Sequence, residues 1–277
     1  MTLERIRYDA CPLCGCEAMT DLLAFDCSKH PLYQPQLPAA IQWCECFECK
    51  HVFTEGYFGT EAQALLVASA HDQEPESDPD RGRVVWSRVV ERVTAVLRGG
   101  GGFAVAPGAG ATGEGSLGRW LDVGFGDGAL LLTAQEWGYQ PLGIDLRPAC
   151  VKKIVALGVP ARCGALESID DPASCTVISL ADVVEHIPFP KTALDHVRKL
   201  LVADGLLFVA TPNMDTGSWR VLDQARRNPY WAEIEHYHNF TRRRLYALLA
   251  EAGFEPVWYG VSNRYLCGME VIARPCA

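Results

Sequence analysis

The sequence predicts an α/β fold with a mostly parallel central sheet, and three features of residues 119–277 support this. Short apolar runs alternate with helical segments, which is the pattern of repeated β-α-β units. A turn with three glycines, at residues 124–128, directly follows the first run. The last two runs are separated by only a few residues, so they must pair antiparallel, because a parallel connection needs a crossover of about a dozen residues or more.

Seven apolar runs in this part of the chain are the predicted strands. They lie at residues 120–123, 141–144, 159–163, 176–180, 206–211, 254–261 and 266–273. The preceding residues, 61–118, are predicted to be a helical linker and a glycine-rich loop. Residues 83–98 show apolar side chains at three- to four-residue steps, which predicts an amphipathic helix, whereas the acids and prolines of residues 71–80 predict a solvated linker. Residues 99–118 lack the Gly-Lys-Ser/Thr of a phosphate loop, so a flexible loop is expected.

Composition and charge narrow the class of protein. Hydrophobic residues make up 49% and charged residues 21% of the chain, which is typical of a globular protein. No apolar run approaches the roughly 20 residues that a membrane-spanning helix needs, and the start of the chain has no secretory signal. We therefore expect a cytoplasmic protein with no membrane partner. The net charge of -9 argues against nucleic acid as a partner.

Residues 1–60 are predicted to form a small zinc-binding module. Seven of the 12 cysteines lie between Cys11 and Cys49, and the expected compartment is reducing, so metal ligation is favoured over disulfides. Two Cys-x-x-Cys pairs, Cys11/Cys14 and Cys46/Cys49, suit a tetrahedral structural zinc site. Cys44 is an alternative to Cys46. Other nearby donors are Cys16, Cys27, His30 and His51.

The glycine turn carries the strongest chemical signal. Asp122 lies within the first strand, and Gly124, Gly126 and Gly128 follow it at alternate positions. A dinucleotide fingerprint places its third glycine three residues after the second, whereas here it comes two after. An acid in the strand also suits a cationic amino acid better than a pyrophosphate. Asp145 closes the next strand, where a carboxylate can accept hydrogen bonds from both ribose hydroxyls.

These residues resemble the acidic-x-Gly-x-Gly-x-Gly motif of class I S-adenosylmethionine-dependent methyltransferases. Residues 180–188 are similar to the Glu-His segment of the ubiquinone-biosynthesis type of methyltransferase. The resemblance implies a Rossmann-like seven-stranded, mostly parallel sheet with a terminal antiparallel strand, S-adenosylmethionine as cofactor and methyl transfer as the reaction. It implies that Asp145 holds the ribose, Ala165 the adenine and residues 180–183 the methionine. The implied cofactor contacts are Asp122, Gly124, Phe125, Gly126, Gly128, Asp145, Leu146, Ala165, Leu166, Ala181 and Asp182.

The order of the two units is similar to that of sugar C-methyltransferases, which also carry a four-cysteine zinc module before a class I domain. Because the final predicted strand pair lies at the end of the sequence, we do not expect their additional C-terminal domain or a nucleotide-sugar acceptor here. The module is then expected to be a folding aid for a segment too small to build its own core.

Residues 228–240 alternate aromatic and ionisable side chains and are expected to cover the carboxyl edge of the strands, where ligands of open α/β sheets bind. We expect a small-molecule acceptor there, a metabolite or biosynthetic intermediate. A hydroxyl acceptor must lose a proton, and the candidate bases are His238, His236 and His186. Each of these histidines could instead have a structural role, as a hydrogen-bonded link to a neighbouring segment or to the helix that follows. The candidate acceptor contacts are Tyr230, Trp231, Glu233 and Tyr237.

Two other functions remain open at this point. One is an NAD-dependent oxidoreductase, which the glycine spacing disfavours. The other is a zinc-ribbon adaptor with a non-catalytic methyltransferase domain, which the complete set of cofactor motifs disfavours. The sequence also leaves open whether an oxygen, nitrogen or carbon atom is methylated, and a carbon or nitrogen acceptor could need no strong base.

Overall fold

The computed structural model of the chain describes residues 3–73, 79–99 and 116–276. Most of the predicted loop at 99–118 therefore lies outside the described residues. The predicted linker at 71–80 is helical at both ends, because helix α1 spans Thr60–Gln73 and helix α2 spans Pro79–Leu97. The helix predicted to begin at residue 83 thus begins one turn earlier. No helix in the described ranges is both long and apolar enough to cross a membrane.

The N-terminal part consists of short strands. They are β1 (Ile6–Arg7), β2 (Met19–Asp26), β3 (Ala40–Cys46), β4 (Val52–Thr54) and β5 (Gly56–Tyr57). The remaining strands are β6 (Arg119–Val123), β7 (Gln140–Asp145), β8 (Ala161–Cys163), β9 (Cys175–Ala181), β10 (Leu201–Pro212), β11 (His238–Asn239), β12 (Phe254–Val261) and β13 (Gly268–Pro275). The helices after α2 are α3 (Ala129–Glu136), α4 (Pro148–Ala156), α5 (Pro190–Leu200), α6 (Gly217–Gln224) and α7 (Arg242–Glu251).

The central sheet confirms the predicted fold class. Its seven strands lie in the order β12-β13-β10-β9-β6-β7-β8. Strands β10, β9, β6, β7 and β8 run parallel, and β13 is antiparallel to both of its neighbours. Near-continuous apolar runs form β9 and β10 because helices cover both faces of such a sheet. The sheet thereby places the carboxyl ends of β6, β7 and β9 side by side, where the cofactor motifs are.

A second sheet joins the N-terminal part to the C-terminal half. Its strands lie in the order β11-β4-β3-β2, and all neighbours are antiparallel. Strand β11 belongs to the segment between α6 and α7, more than 180 residues after β4 in the chain. Trp43 of β3 packs edge-on against Trp231 with ring centroids 5.4 Å apart, and its indole Nε1 donates to the Trp231 carbonyl at 2.9 Å. The N-terminal strands therefore pack directly against residues 231–240.

Candidate cofactor and acceptor site

The glycine turn after β6 has the backbone shape that a closely bound ligand requires. Gly124 and Gly128 have φ values of 64° and 81°, in the left-handed region that side chains disfavour. A Cβ on Gly124 would lie 2.8 Å from Val183 Cγ2, and one on Gly128 would collide with Ile154. Only glycine fits at these two positions. The turn therefore presents bare backbone at the carboxyl edge of the sheet, as a close-fitting cofactor needs.

Asp122 lies beneath this turn. It is buried, and the Ser179 hydroxyl donates to its Oδ1 at 2.5 Å. Burial raises its pKa to about 7, although the Ser179 hydrogen bond and the charge of Arg264 oppose the rise. A cationic ligand beside Asp122 would stabilise the ionised carboxylate, because a nearby positive charge favours the charged form of an acid. This environment fits the ammonium group of an amino-acid ligand.

Asp145 ends β7, as predicted, and its carboxylate closes the site. Its Oδ2 accepts from the Gly126 amide at 3.1 Å, which ties the carboxylate to the glycine turn. Arg147 binds both oxygens, with Nε to Oδ1 and Nη2 to Oδ2 at 3.0 Å each. Sequence reasoning missed Arg147, although it follows Asp145 by two residues. The arginine holds the carboxylate in one orientation beside the turn.

Replacing Asp145 with Ala should weaken S-adenosylhomocysteine binding by about 1.5–3 kcal/mol, or more than about tenfold, because a charge-assisted acceptor for two hydroxyls is lost. Calorimetric titration measures this directly. Asp171→Asn is the matched control, since Asp171 pairs with Arg119 at 2.6 Å but lies at the opposite end of β6. Unchanged affinity in Asp145→Ala would remove Asp145 from the ribose site.

The remaining predicted cofactor residues differ in whether their side chains are exposed or buried. Ala165 and Leu146 are exposed, so both could border a ligand. The side chains of Phe125 and Leu166 are buried in the core, so only their backbones could take part. Ala181 ends β9 and is half-buried. Asp182 follows it with φ 58°, and its Oδ2 accepts from Arg264 Nη1 at 2.6 Å.

The cysteine cluster brings four sulfur atoms close enough together to share one metal ion. The sulfur atoms of Cys11, Cys14, Cys46 and Cys49 lie within 4.8 Å of one another. Cys11 and Cys49 are 3.7 Å apart, and Cys14 and Cys46 are 3.5 Å apart. Four sulfurs at about 2.3 Å from one zinc ion are about 3.8 Å apart, so these thiols fit zinc. Cys44 lies outside this group, because its thiol faces Asp21 at 3.7 Å.

Glu185, His186 and His236 form a second cluster, beside the carboxyl end of β9. Their donor atoms lie within 4.8 Å of one another, and two imidazoles with one carboxylate could also hold a divalent cation. His186 Nδ1 donates to the Glu235 carbonyl at 3.1 Å, which leaves its Nε2 lone pair unprotonated when the ring is neutral. Glu185 Oε2 and His236 Nδ1 are buried and have no hydrogen-bond partner in the described residues. The cluster therefore has unused acceptor atoms.

Burial controls protonation in this cluster. It lowers the pKa of His236 well below the ordinary histidine value, and the neighbouring His186 lowers it further. Burial raises the pKa of Glu185 to about 7; the charge of His186 opposes this rise and that of Asp182 adds to it. At neutral pH His236 is therefore an unprotonated, neutral imidazole.

His238 has a different environment. Its Nε2 lies 2.9 Å from the Ile187 carbonyl, which can only accept, so Nε2 carries the proton. Its Nδ1 lies 3.0 Å from His51 Nε2 and accepts from it. Burial lowers the pKa of His238 to about 4, which keeps it neutral. Both ring nitrogens are thus engaged, and the geometry favours a structural link over the predicted base role.

The predicted acceptor contacts also divide into two groups. Tyr230 is half-buried, and its ring stacks on that of Trp219. The centroids of the Tyr230 and His236 rings lie 6.4 Å apart. Trp231 and Tyr237 are buried, and their side chains pack against the N-terminal part. Glu233 pairs with His30 at 2.9 Å. Of the four, Tyr230 is the one beside the histidine cluster.

Comparison with known proteins identifies the family of the chain. A family model described as "Methyltransferase domain" matches residues 83–258. The ubiquinone biosynthesis O-methyltransferase of Idiomarina loihiensis is 35% identical over 107 residues, which are 36% of this chain and 44% of that protein. The match thus spans less than half the length of this curated relative.

Two solved structures share the fold. One is a 1,6-didemethyltoxoflavin-N1-methyltransferase from Burkholderia thailandensis with bound S-adenosylhomocysteine, at TM-score 0.54 and 18% identity, covering 83% of this chain and 98% of that one. The other is a magnesium protoporphyrin IX methyltransferase from Synechocystis PCC 6803 with bound S-adenosylhomocysteine, at TM-score 0.53 and 14% identity, covering 77% and 95%. The family match, taken with the glycine turn and its two acids, identifies the chain as a member of the class I S-adenosylmethionine-dependent methyltransferases.

Proposed function

We propose that this methyltransferase acts on a hydroxyl group of a small-molecule acceptor, a metabolite or biosynthetic intermediate, with His236 as the general base. The observation that carries the proposal is the buried, unpartnered Nδ1 of His236, beside Glu185 and His186 at the carboxyl edge of the sheet. The curated relative is an O-methyltransferase, which favours an oxygen acceptor.

The chain's own residues have three tasks in this reaction. S-adenosylmethionine, when bound, supplies a methyl group that an acceptor oxygen can attack in line. Tyr230 stacks beside His236 and would orient a flat acceptor over the cluster. Residues 228–240 exclude water from the site. His236, which is neutral at pH 7, would take the hydroxyl proton as the oxygen bonds to the methyl carbon. The sulfonium–methyl bond breaks in the same step, and S-adenosylhomocysteine leaves.

We also propose that the four-cysteine site holds structural zinc. Its support is that the four sulfurs lie within 4.8 Å of one another, and the backbone amides near Cys46 add to it. Burial raises the pKa of the Cys46 thiol, but backbone amides of Cys49 and Glu48 and the Cys14 thiol lower it to about 7 overall. A thiol that ionises near neutrality is a ready metal ligand. Burial raises the pKa of the Cys11 and Cys49 thiols, so zinc binding has to displace the protons of these two.

The experiment is a transfer assay with S-adenosylmethionine labelled in its methyl group, incubated with the protein and metabolite extracts. The proposal predicts label in small molecules as an acid-stable methyl ether. Label in protein or nucleic acid, or in a nitrogen- or carbon-linked methyl group, would contradict it. Saturable cofactor binding with no transfer to any fraction would favour the adaptor function.

A further inference from the structure

Arg264 lies in the turn between β12 and β13 and reaches the carboxyl edge of the parallel strands. Its Nη1 donates to Asp182 Oδ2 at 2.6 Å. The guanidinium lies over the Trp86 ring of α2, 4.3 Å from the centroid, and 5.2 Å from that of Tyr265. The side chain is 12% exposed. An aromatic surface and an ion pair thus hold this cation in one orientation at the cofactor site.

The opposite edge of the guanidinium has no partner. Arg264 Nε and Nη2 are both buried and make no hydrogen bond to any residue that the structure describes. Buried donors without an acceptor are costly, so native structures rarely leave them unpaired. Nε and Nη2 share one edge of the planar group, and two parallel N–H donors on one edge match the two oxygens of a carboxylate. The two unpaired donors of Arg264 therefore match the two oxygens of a carboxylate.

The charged groups around Arg264 indicate which ligand carboxylate could bind to its two unpaired donors. Burial raises the pKa of Asp122, Asp182 and Glu270, and the charge of Arg264 opposes the rise at all three. The arginine thus lies among the acids at the ends of β6, β9 and β13. The methionine end of the cofactor carries one ammonium and one carboxylate. Asp122 suits the ammonium, and a carboxylate placed next to it requires a cation.

We propose that Arg264 binds the methionine carboxylate of the cofactor through Nε and Nη2, while Nη1 stays on Asp182. Trp86 and the β12–β13 turn then close over the amino-acid end of the ligand. This role rests on the assignment of S-adenosylmethionine as cofactor and adds a residue that lies outside the sequence motifs for the site. It makes Arg264 a determinant of affinity for ligands that retain the amino-acid end.

The test compares two ligands by calorimetric titration: S-adenosylhomocysteine, and 5′-methylthioadenosine, which lacks the amino-acid end. Arg264→Gln should weaken S-adenosylhomocysteine binding about tenfold or more and leave methylthioadenosine within about twofold, because only the former has the carboxylate. Arg264→Lys should recover part of the loss, since a lysine offers a charge without the paired donors. The control is Arg274→Gln, because Arg274 ties the same hairpin to α2 through the Val96 carbonyl at 2.8 Å.

Two results would overturn the proposal. Unchanged S-adenosylhomocysteine affinity in both Arg264 variants would show that another group binds the carboxylate. An equal loss for both ligands, with folding intact by circular dichroism, would show that Arg264 only shapes the site through Trp86 and Asp182. If the wild-type protein binds neither ligand, the cofactor assignment itself fails, and this outcome is distinct from the other two.

Discussion

Removing the metal from the four-cysteine site should unfold the N-terminal sheet and expose residues 229–240, while cofactor affinity changes little. A structural zinc ion contributes about 10–16 kcal/mol of binding energy that is also folding energy. The loss of structure should reach residues 229–240 because the segment 46–51 carries both the metal ligands Cys46 and Cys49 and the side chain of His51. His51 Nε2 donates to His238 Nδ1. Strand β4 extends this link, since the Thr54 amide donates to the Tyr237 carbonyl at 3.0 Å.

Metal analysis and hydrogen–deuterium exchange test this prediction. Wild-type protein should contain about one zinc per chain, and Cys14→Ser or Cys49→Ser should lack it. In these variants the backbone amides of residues 229–240 should exchange faster than in the wild-type protein. The amides of β6 and β9 should keep their protection from exchange. Cys16→Ser is the control, because Cys16 lies outside the cluster. Metal-free protein with wild-type protection in 229–240 would refute both the zinc and the coupling.

Replacing His236 with Ala should lower turnover by about 10²–10⁴-fold and leave cofactor affinity nearly unchanged, because a general base acts only on the acceptor. His238→Ala should instead lower the melting temperature, since it breaks the hydrogen bonds to His51 and Ile187. The pH profile adds a check on the base. Burial lowers the pKa of His236 well below the ordinary histidine value, so protonation of His236 itself should reduce turnover only at clearly acidic pH. Glu185 and Asp122, whose pKa values burial raises to about 7, should change protonation nearer neutral pH, and His236→Ala should leave that part of the profile in place.

Turnover and thermal unfolding are measured with the acceptor that the transfer assay identifies. Glu235→Gln is the matched control, because Glu235 adjoins His236 but its carboxylate lies outside the donor cluster. Normal turnover in His236→Ala would assign proton removal to His186 or to no side chain. A joint loss of melting temperature and cofactor affinity in His236→Ala would make His236 a structural link instead.

The parts of the fold that depend on local pattern were predictable from the sequence. Each of the seven predicted strands appears in the central sheet, with ends that differ by a few residues, and the final pair is antiparallel as expected. Apolar periodicity and glycine spacing are local signals, so one chain is enough to detect them. Asp122 and Asp145 could be predicted as cofactor contacts because they occupy fixed positions relative to strand ends.

The contacts that join distant segments were not predictable. The pairing of β11 with β4 comes from a two-residue strand, which has no periodicity to detect. This pairing explains why Trp231 and Tyr237, expected as acceptor contacts, are buried instead. Likewise Arg264 follows no motif, and its approach to Asp182 depends on how the β12–β13 turn folds over the sheet. The engagement of both His238 nitrogens required knowing that His51 lies beside it.

The most direct test of the account is a calorimetric titration of the wild-type protein with S-adenosylhomocysteine and, separately, with NAD. The glycine turn, Asp122 and Asp145 predict a single saturable S-adenosylhomocysteine site of micromolar affinity and no measurable heat with NAD. Tight NAD binding without S-adenosylhomocysteine binding would contradict the account.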